Sequence, residues 1–200
     1  MALECLVTMG PRSVSTRSET HVLADAAAHG DTVAFDRLVA EYHERVLNVA
    51  YRMVSRREDA EDICQEVFVK AFTALPRLRD RSQFGSWLLR ITANCARDAL
   101  RRRRRRKDDL DLDEIGPVPS DDDHARETER DDASRVVQRL LMGLPERHRI
   151  VLVLRDIEGL SYEEMAQALS CTVSSVKNRL HRARKLFRER LDPYVKADEV

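Results

Sequence analysis

Apolar positions along this chain recur at helical spacing almost throughout, and the interruptions of that pattern mark its elements. Near the C-terminal end, Met165, Ala166 and Leu169 give a short helix one apolar face. Val176, Leu180, Ala183 and Phe187 then fall at i, i+4, i+7 and i+11 of a second helix, which places them on one core-facing stripe. Ser161 and Glu164 have the spacing of a capping box at the start of the first helix. Ser170-Cys171-Thr172 makes the turn, with Thr172 as the expected N-cap of the second. At 3.6 residues per turn, Ser174, Asn178, His181, Arg182 and Lys185 point away from the stripe, with Lys177 on the flank. Cations attract phosphate, while Asn and Arg can make paired hydrogen bonds to base edges. Two helices so joined fit a helix-turn-helix whose second helix reads a major groove. A merely solvated basic helix would explain the charge but not the capped partner helix and the short turn.

The same periodicity organises the N-terminal half. Residues 1–21 carry only a weak pattern and are expected to form a flexible leader. From about Val22 the pattern turns helical, and Phe35, Leu38, Val39, Tyr42, Val46, Val49, Ala50 and Met53 predict a long amphipathic helix that Ser55-Arg56-Arg57 breaks. A second helix runs from Asp59 to Leu75 and is closed by Pro76. Ile63, Cys64, Val67 and Ala71 share one of its faces, while Phe68, Val69 and Phe72 lie on another beside Glu61, Asp62 and Gln65. Such a helix is either sandwiched in its domain or meets another protein, and the pattern leaves both open.

Ser82 is placed to cap a third helix with the core stripe Phe84, Trp87, Leu88, Ile91, Cys95 and Ala99. Beside the stripe, Arg90, Asn94, Arg97 and Arg101 recur along one polar ridge, preceded by the basic loop of Arg77, Arg79 and Arg81. A basic ridge bordering apolar ground suits a nucleic-acid strand whose phosphates meet arginine while an extruded base meets an amide. Trp87 fits the core better than a stacking platform, because it sits on the stripe. Farther on, Val136, Val137, Leu140 and Leu141 predict a helix from about Ala133. Gly143 to His148 reads as a turn, and Ile150 to Ile157 as an apolar helix leading into the helix-turn-helix.

Net charge says nothing about partners, since 35 Lys and Arg balance 35 Asp and Glu. Its distribution says more. Arg77 to Lys107 holds twelve cations against Asp80 and Asp98, whereas Asp108 to Asp132 holds twelve acids against Arg126 and Arg130. The acidic run, with Gly116, Pro117 and Pro119, reads as a flexible linker. Its roughly 25 residues reach about 80 Å when extended, enough to span two turns of duplex at about 34 Å each. The expected fold is therefore all-α: two small helical domains, 22–107 and 133–192, joined by the linker 108–132, with a tail at 193–200. No stretch approaches the roughly 18 apolar residues that would cross a membrane, and no signal-peptide pattern opens the chain. The four cysteines stand far apart without zinc-finger spacing, and no nucleophile–base pair or metal constellation is present. The chain is thus expected to be cytoplasmic, not an enzyme, and without metal or cofactor.

Taken in order, Asp59-Ala-Glu-Asp-Ile-Cys-Gln-Glu-Val-Phe, Phe84-Gly-Ser-Trp-Leu, Leu144-Pro-Glu-Arg-His-Arg and Val176-Lys-Asn-Arg-Leu-His-Arg-Ala-Arg resemble the motifs of bacterial RNA polymerase sigma factors of the extracytoplasmic-function (ECF) group. The likeness covers about Asp31 to Lys107 (region 2) and Ser134 to Leu191 (region 4), with an acidic linker in place of region 3. It implies a stress-response transcription initiation factor that binds core RNA polymerase through the β′ clamp helices and the β flap, recognises promoter DNA, and answers to an anti-sigma factor. Asp62, Gln65 and Glu66, with Phe68 beside them, match polymerase-contacting positions. Asn94 matches the position near the flipped base of the −10 element, and Arg77 to Phe84 the loop that captures it. Lys177, Asn178, His181 and Arg182 match the positions that read the −35 element. His181 and Ser175 depart from the family's usual residues, which bears on promoter preference. Two other readings make different demands. A free-standing helix-turn-helix repressor would dimerise on a palindrome. A protein-only adaptor would have no use for the basic reader face.

Overall fold

A computed structural model describes residues 17–109 and 129–197. All elements among the described residues are helical: α1 (Arg17–Ala28), α2 (Thr32–Val54), α3 (Arg57–Ala74), α4 (Phe84–Asp109), α5 (Glu129–Met142), α6 (Glu146–Leu152), α7 (Tyr162–Ala168) and α8 (Val173–Ala197). Two 3₁₀ turns, Leu75–Arg77 and Arg81–Gln83, connect α3 to α4, and a π turn, Val153–Ile157, extends α6. Of the expected acidic linker, residues 110–128 lie outside the described residues.

Helix begins earlier than the sequence pattern suggests. α1 starts at Arg17, inside the expected leader, and buries Thr20, whose hydroxyl lies 3.4 Å from a Glu41 carboxylate oxygen and 3.5 Å from the Tyr42 hydroxyl. One polar residue docked between two others carries no apolar signal, which is why periodicity misses it. Gly30, at φ +99, splits α1 from α2 by adopting a left-handed conformation that L side chains rarely take. Asp31 then caps α2 by accepting from the Ala34 N–H at 3.0 Å. At the far end of α2, Ser55 stands in the left-handed region at φ 62 and its N–H returns to the Tyr51 carbonyl. At the opposite terminus, α8 runs through Ala197, past the expected boundary at 192.

The first core is the one expected. Phe35, Leu38, Tyr42, Val46, Val49, Ala50 and Met53 of α2 pack with Ile63, Cys64, Val67 and Ala71 of α3 and with Phe84, Leu88 and Cys95 of α4. Tyr42 and Phe84 meet edge to face at 5.3 Å. Gly85 permits that approach, because a Cβ there would lie 3.1 Å from the Tyr42 hydroxyl. The N-terminal cap of this segment is Asp80, not Ser82: its carboxylate accepts from the Ser82 N–H at 3.0 Å and hydroxyl at 2.6 Å, opening the 3₁₀ turn ahead of α4.

The second half assembles around the end of α6 and the π turn that extends it, an apolar run on every side: Ile150, Val151, Leu152, Val153 and Leu154 are all buried. A helix apolar all round has to be enclosed. α8 covers one side of it and α2 touches another. The two helical domains are the ones expected, and their buried residues form one continuous apolar cluster. The π turn at the end of α6 lets the Glu158 N–H bond to the Val153 carbonyl, which aims the Glu158 side chain back toward α2.

Candidate nucleic-acid and protein interfaces

The helix-turn-helix forms as its sequence directs. Ser161 and Glu164 make a reciprocal capping box, with Ser161 Oγ accepting from the Glu164 N–H at 3.1 Å and the Glu164 carboxylate from the Ser161 N–H at 2.8 Å. Thr172 accepts from the Ser175 N–H at 3.2 Å at the head of α8. Val176, Leu180, Ala183 and Phe187 are buried, while Ser174, Lys177, Asn178, His181, Arg182 and Lys185 are all exposed. Lys177 also stacks over Tyr162 of α7, its ammonium 5.3 Å from the ring centre, so this cation is held by the partner helix. Arg184 fixes the pitch of α8 through a two-armed ion pair with Asp156 of the π turn, one arm at 3.1 Å. Sequence reasoning missed that brace, since the residues lie 28 positions apart.

The ridge on α4 is only partly as expected. Arg90 and Arg101 are exposed, whereas Asn94 and Arg97 are half-buried. Arg97 donates to the Asn94 carbonyl oxygen, which leaves the amide NH₂ as the group turned outward. In the preceding loop Arg77 and Arg79 are exposed, while Arg81 is half-buried and donates to the Pro76 carbonyl at 3.3 Å. The arginine run that ends α4 is not all available to phosphate. Arg102 pairs with Glu66 at 3.3 Å, Arg103 with Asp59 at 3.9 Å and Arg104 with Glu146 at 3.5 Å. Trp87 is half-buried against Phe84, 5.8 Å between ring centres, between the two roles weighed for it.

The second face of α3 needs one correction. Phe68, expected among the outward contacts, is 8% exposed and stacks on His43 at 6.4 Å. α3 is sandwiched between α2 and α4, so its apolar arc is wide enough to take in Phe68. Val69 and Phe72 carry the outward apolar surface, at 68% and 49% exposure. Asp62 and Gln65 project to solvent beside them. Glu66 is more constrained, holding Lys70 at 2.6 Å as well as Arg102, and these cations keep its carboxyl below the usual range.

The two buried thiols, Cys64 and Cys95, are held in the protonated form. Burial, aided by Glu61, pushes the Cys64 thiol up to about 11, and burial raises Cys95 as well. A protonated, enclosed thiol does not alkylate readily. Iodoacetamide at pH 8 is therefore expected to modify the half-exposed Cys171 and spare Cys64 and Cys95 in the native chain, as read by peptide mass spectrometry. Labelling of Cys64 as fast as Cys171 would show that α3 opens locally. Among the described residues no cluster of His, Cys, Asp and Glu could hold a metal ion, and no helix is long and apolar enough to cross a membrane.

Comparison with known proteins follows the same division of the chain. Residues 38–106 match the model of Sigma-70 region 2, and residues 134–187 that of Sigma-70 region 4. The RNA polymerase sigma-H factor of Pseudomonas aeruginosa is 35% identical over 189 residues, covering 90% of this chain and 98% of that one. The ECF RNA polymerase sigma-E factor of Escherichia coli is 32% identical over 191 residues, covering 92% and 100%. Among solved structures, CnrH in complex with the cytosolic domain of CnrY superposes with a TM-score of 0.67 at 30% identity, over 88% of this chain and 98% of that one. The sigma factor RpoE of Bartonella quintana, in complex with the anti-sigma factor NepR, shares the fold with a TM-score of 0.61 at 23% identity, over 79% and 96%.

Proposed function

The chain belongs to the ECF group of RNA polymerase sigma factors, and from that premise we propose how its residues divide the work of starting transcription. As a member of that family it serves transcription initiation, binding core RNA polymerase and promoter DNA. In this reading residues 22–107 form the unit that binds polymerase and the −10 element, and residues 133–192 the unit that binds the −35 element. α8 enters the major groove of the −35 element with Ser174, Lys177, Asn178, His181, Arg182 and Lys185. α4 and the loop before it hold the melted −10 strand. Arg77, Arg79, Arg90 and Arg101 meet phosphate there, Asn94 donates its amide to an unpaired base, and Arg81 and Arg97 hold the surface in shape. The unpairing cost, a few kcal/mol, is offset by contacts to the extruded base. The acidic linker supplies reach between the two elements. The setting is the cytoplasm, where polymerase works. Control by an anti-sigma protein belongs to the same reading, supported by the complex of its relative CnrH with the cytosolic domain of CnrY.

The observation that carries the reading is the two-sided character of α8, whose four stripe residues are buried while all six reader residues stay exposed, beside a separate basic ridge on α4. Transcription in vitro with core polymerase, this chain and a library of promoter fragments tests it. Promoter-specific transcripts are expected. Tight binding to a palindrome without polymerase, and no transcripts, would favour a repressor instead.

Polymerase docking is assigned to Asp62, Gln65, Val69 and Phe72, with Glu66 at the edge. Asp62→Lys is expected to weaken core binding roughly tenfold by opposing a charge at the interface, with no change in thermal unfolding. Glu66→Lys is expected to lower both, because it also sets a third cation beside Lys70 and Arg102. A core titration unchanged by Asp62→Lys would remove this face from the dock.

A further inference from the structure

Tyr162 opens α7, half-buried, and its ring gathers cations supplied by two other elements. Arg155 of the π turn lies over the ring, its guanidinium carbon 4.8 Å from the centre, and Lys177 of α8 brings its ammonium to 5.3 Å. Arg155 also donates to the Leu160 carbonyl at 2.5 Å, which anchors ring and guanidinium to one stretch of backbone. The capping box fixes that backbone further, since Ser161 and Glu164 bond reciprocally around Tyr162. The ring is thus placed by contacts that lie wholly within the helix-turn-helix and the turn before it.

Lys177 stands on the flank of the exposed reader face, not at its centre. An unrestrained lysine there would sweep a wide arc on its flexible stem and settle on whichever phosphate it met. Ordering such a side chain costs rotamer entropy, and a contact that holds it in advance removes part of that cost. An ammonium carries three donors, and a ring face occupies only one side of it. The other donors can turn to acceptors in the groove. There guanine presents two neighbouring acceptors, O6 and N7, on a single base edge. An ammonium held in one place can choose that edge; a swinging one cannot.

We infer that Tyr162 is a positioning residue for promoter reading: its ring holds Lys177 where the ammonium meets one base, and the pair selects guanine at one −35 position. The inference rests on the proposed placement of α8 in the major groove of the −35 element. Tyr162 acts in it through the face of its ring, so the selection has no need of its hydroxyl.

The test offers duplex fragments randomised over the −35 element to core polymerase carrying the parent chain or a variant. Base preference is read from the bound fraction. Lys177→Ala is expected to lower the preference for guanine about tenfold at one position. Tyr162→Leu should lower it there by a factor of about two to five, the worth of an exposed cation–ring contact, and nowhere else. Tyr162→Phe keeps the ring and should restore the parent preference. A ring-fluorinated phenylalanine at position 162 keeps the shape but removes the negative face, so it should match the leucine variant. Tyr162→Leu combined with Lys177→Ala should do no worse than Lys177→Ala alone.

Circular dichroism shows whether each variant keeps its helices; if Tyr162→Leu does not, the fluorinated chain decides in its place. Equal losses in Tyr162→Phe and Tyr162→Leu would assign the effect to the hydroxyl and overturn the inference. An additive double variant overturns it too, as does weaker binding that is uniform across all sequences, the mark of a phosphate contact. Arg182→Ala separates the inference from its premise. If that substitution changes a −35 preference while Lys177→Ala changes none, α8 still reads DNA and the inference alone falls. If neither changes any, the placement of α8 fails and takes the inference with it.

Discussion

Arg149→Met is expected to destabilise the chain by about 3–5 kcal/mol. Arg149 is buried, and among the described residues its guanidinium bonds to backbone carbonyls rather than to a carboxylate. Its guanidinium donates to Leu141 at 3.0 Å, to Met142 and Leu144 at 3.1 Å each, and to Met53 across the interface. Three of those acceptors belong to the end of α5 and the turn after it, where the last helical carbonyls lack the usual intrahelical partner, although Leu141 also accepts from the Leu144 N–H. Burial pulls the guanidinium down to about 10, so it remains charged at neutral pH. Methionine fills the same space and leaves the Met53, Met142 and Leu144 carbonyls without this donor, at about 1–3 kcal/mol for each that water cannot reach, while Leu141 keeps its bond from the Leu144 N–H at 3.0 Å. Lysine carries the charge but one ammonium cannot fork to acceptors on both sides, so Arg149→Lys should recover less than half of the loss. Urea unfolding followed by circular dichroism measures both. With a slope of about 2 kcal/mol/M, the Met variant should shift its midpoint by about 2 M. A shift under 0.5 M, roughly, would mean that water takes over the carbonyls.

Arg149 also shows where sequence reading stops. The capping box of Ser161 and Glu164 and the stripe from Val176 to Phe187 are local, fixed by helix geometry over three to eleven residues, and both are read correctly from the chain. The exposure of the six positions proposed to read DNA on α8 follows from the stripe alone. Phe68 does not follow, because a helix packed on two sides has no single apolar arc and the edge of its buried surface is set by its neighbours. Asp80 displaces Ser82 as cap because a 3₁₀ turn precedes α4, and nothing in hydrophobic spacing announces one. Arg97 looks like one more phosphate contact until its bond to Asn94 is seen. The fastening of the halves is the least legible feature. Arg45 and Glu158 are 113 residues apart, and the π turn that joins them leaves no signature in composition. Even so, the all-apolar run from Ile150 to Leu154 held a clue: it asks for cover on more sides than its own domain supplies.

Asn94→Ala and Arg182→Ala should fail at different steps of promoter use. Arg182 is exposed on α8 opposite the buried stripe, where it can reach base edges of intact duplex. Its loss should cost about 1–3 kcal/mol at one −35 position and relax preference there. Asn94 is half-buried on α4 with its carbonyl oxygen engaged by Arg97, so its NH₂ is the donor left to meet an unpaired base. Asn94→Ala should leave −35 binding unchanged and reduce open-complex formation, since the unpaired base loses a contact that offsets its unpairing. Asn94→Asp sharpens the test, because it keeps an acceptor for Arg97 while removing the donor. It should match the alanine variant if the NH₂ matters, and the parent if only the Arg97 contact does. On a template already mismatched over the −10 element, Arg182→Ala keeps its defect, for pre-melting cannot replace a −35 contact. Both Asn94 variants recover part of their binding there, because the unpairing cost is gone, yet they still lose preference among bases on the exposed strand. Promoter affinity, permanganate reactivity and base preference, measured for the three variants on paired and pre-melted templates, separate these outcomes. Normal opening and retained base preference in Asn94→Ala would take base capture away from Asn94 and leave α4 as a surface for phosphate alone.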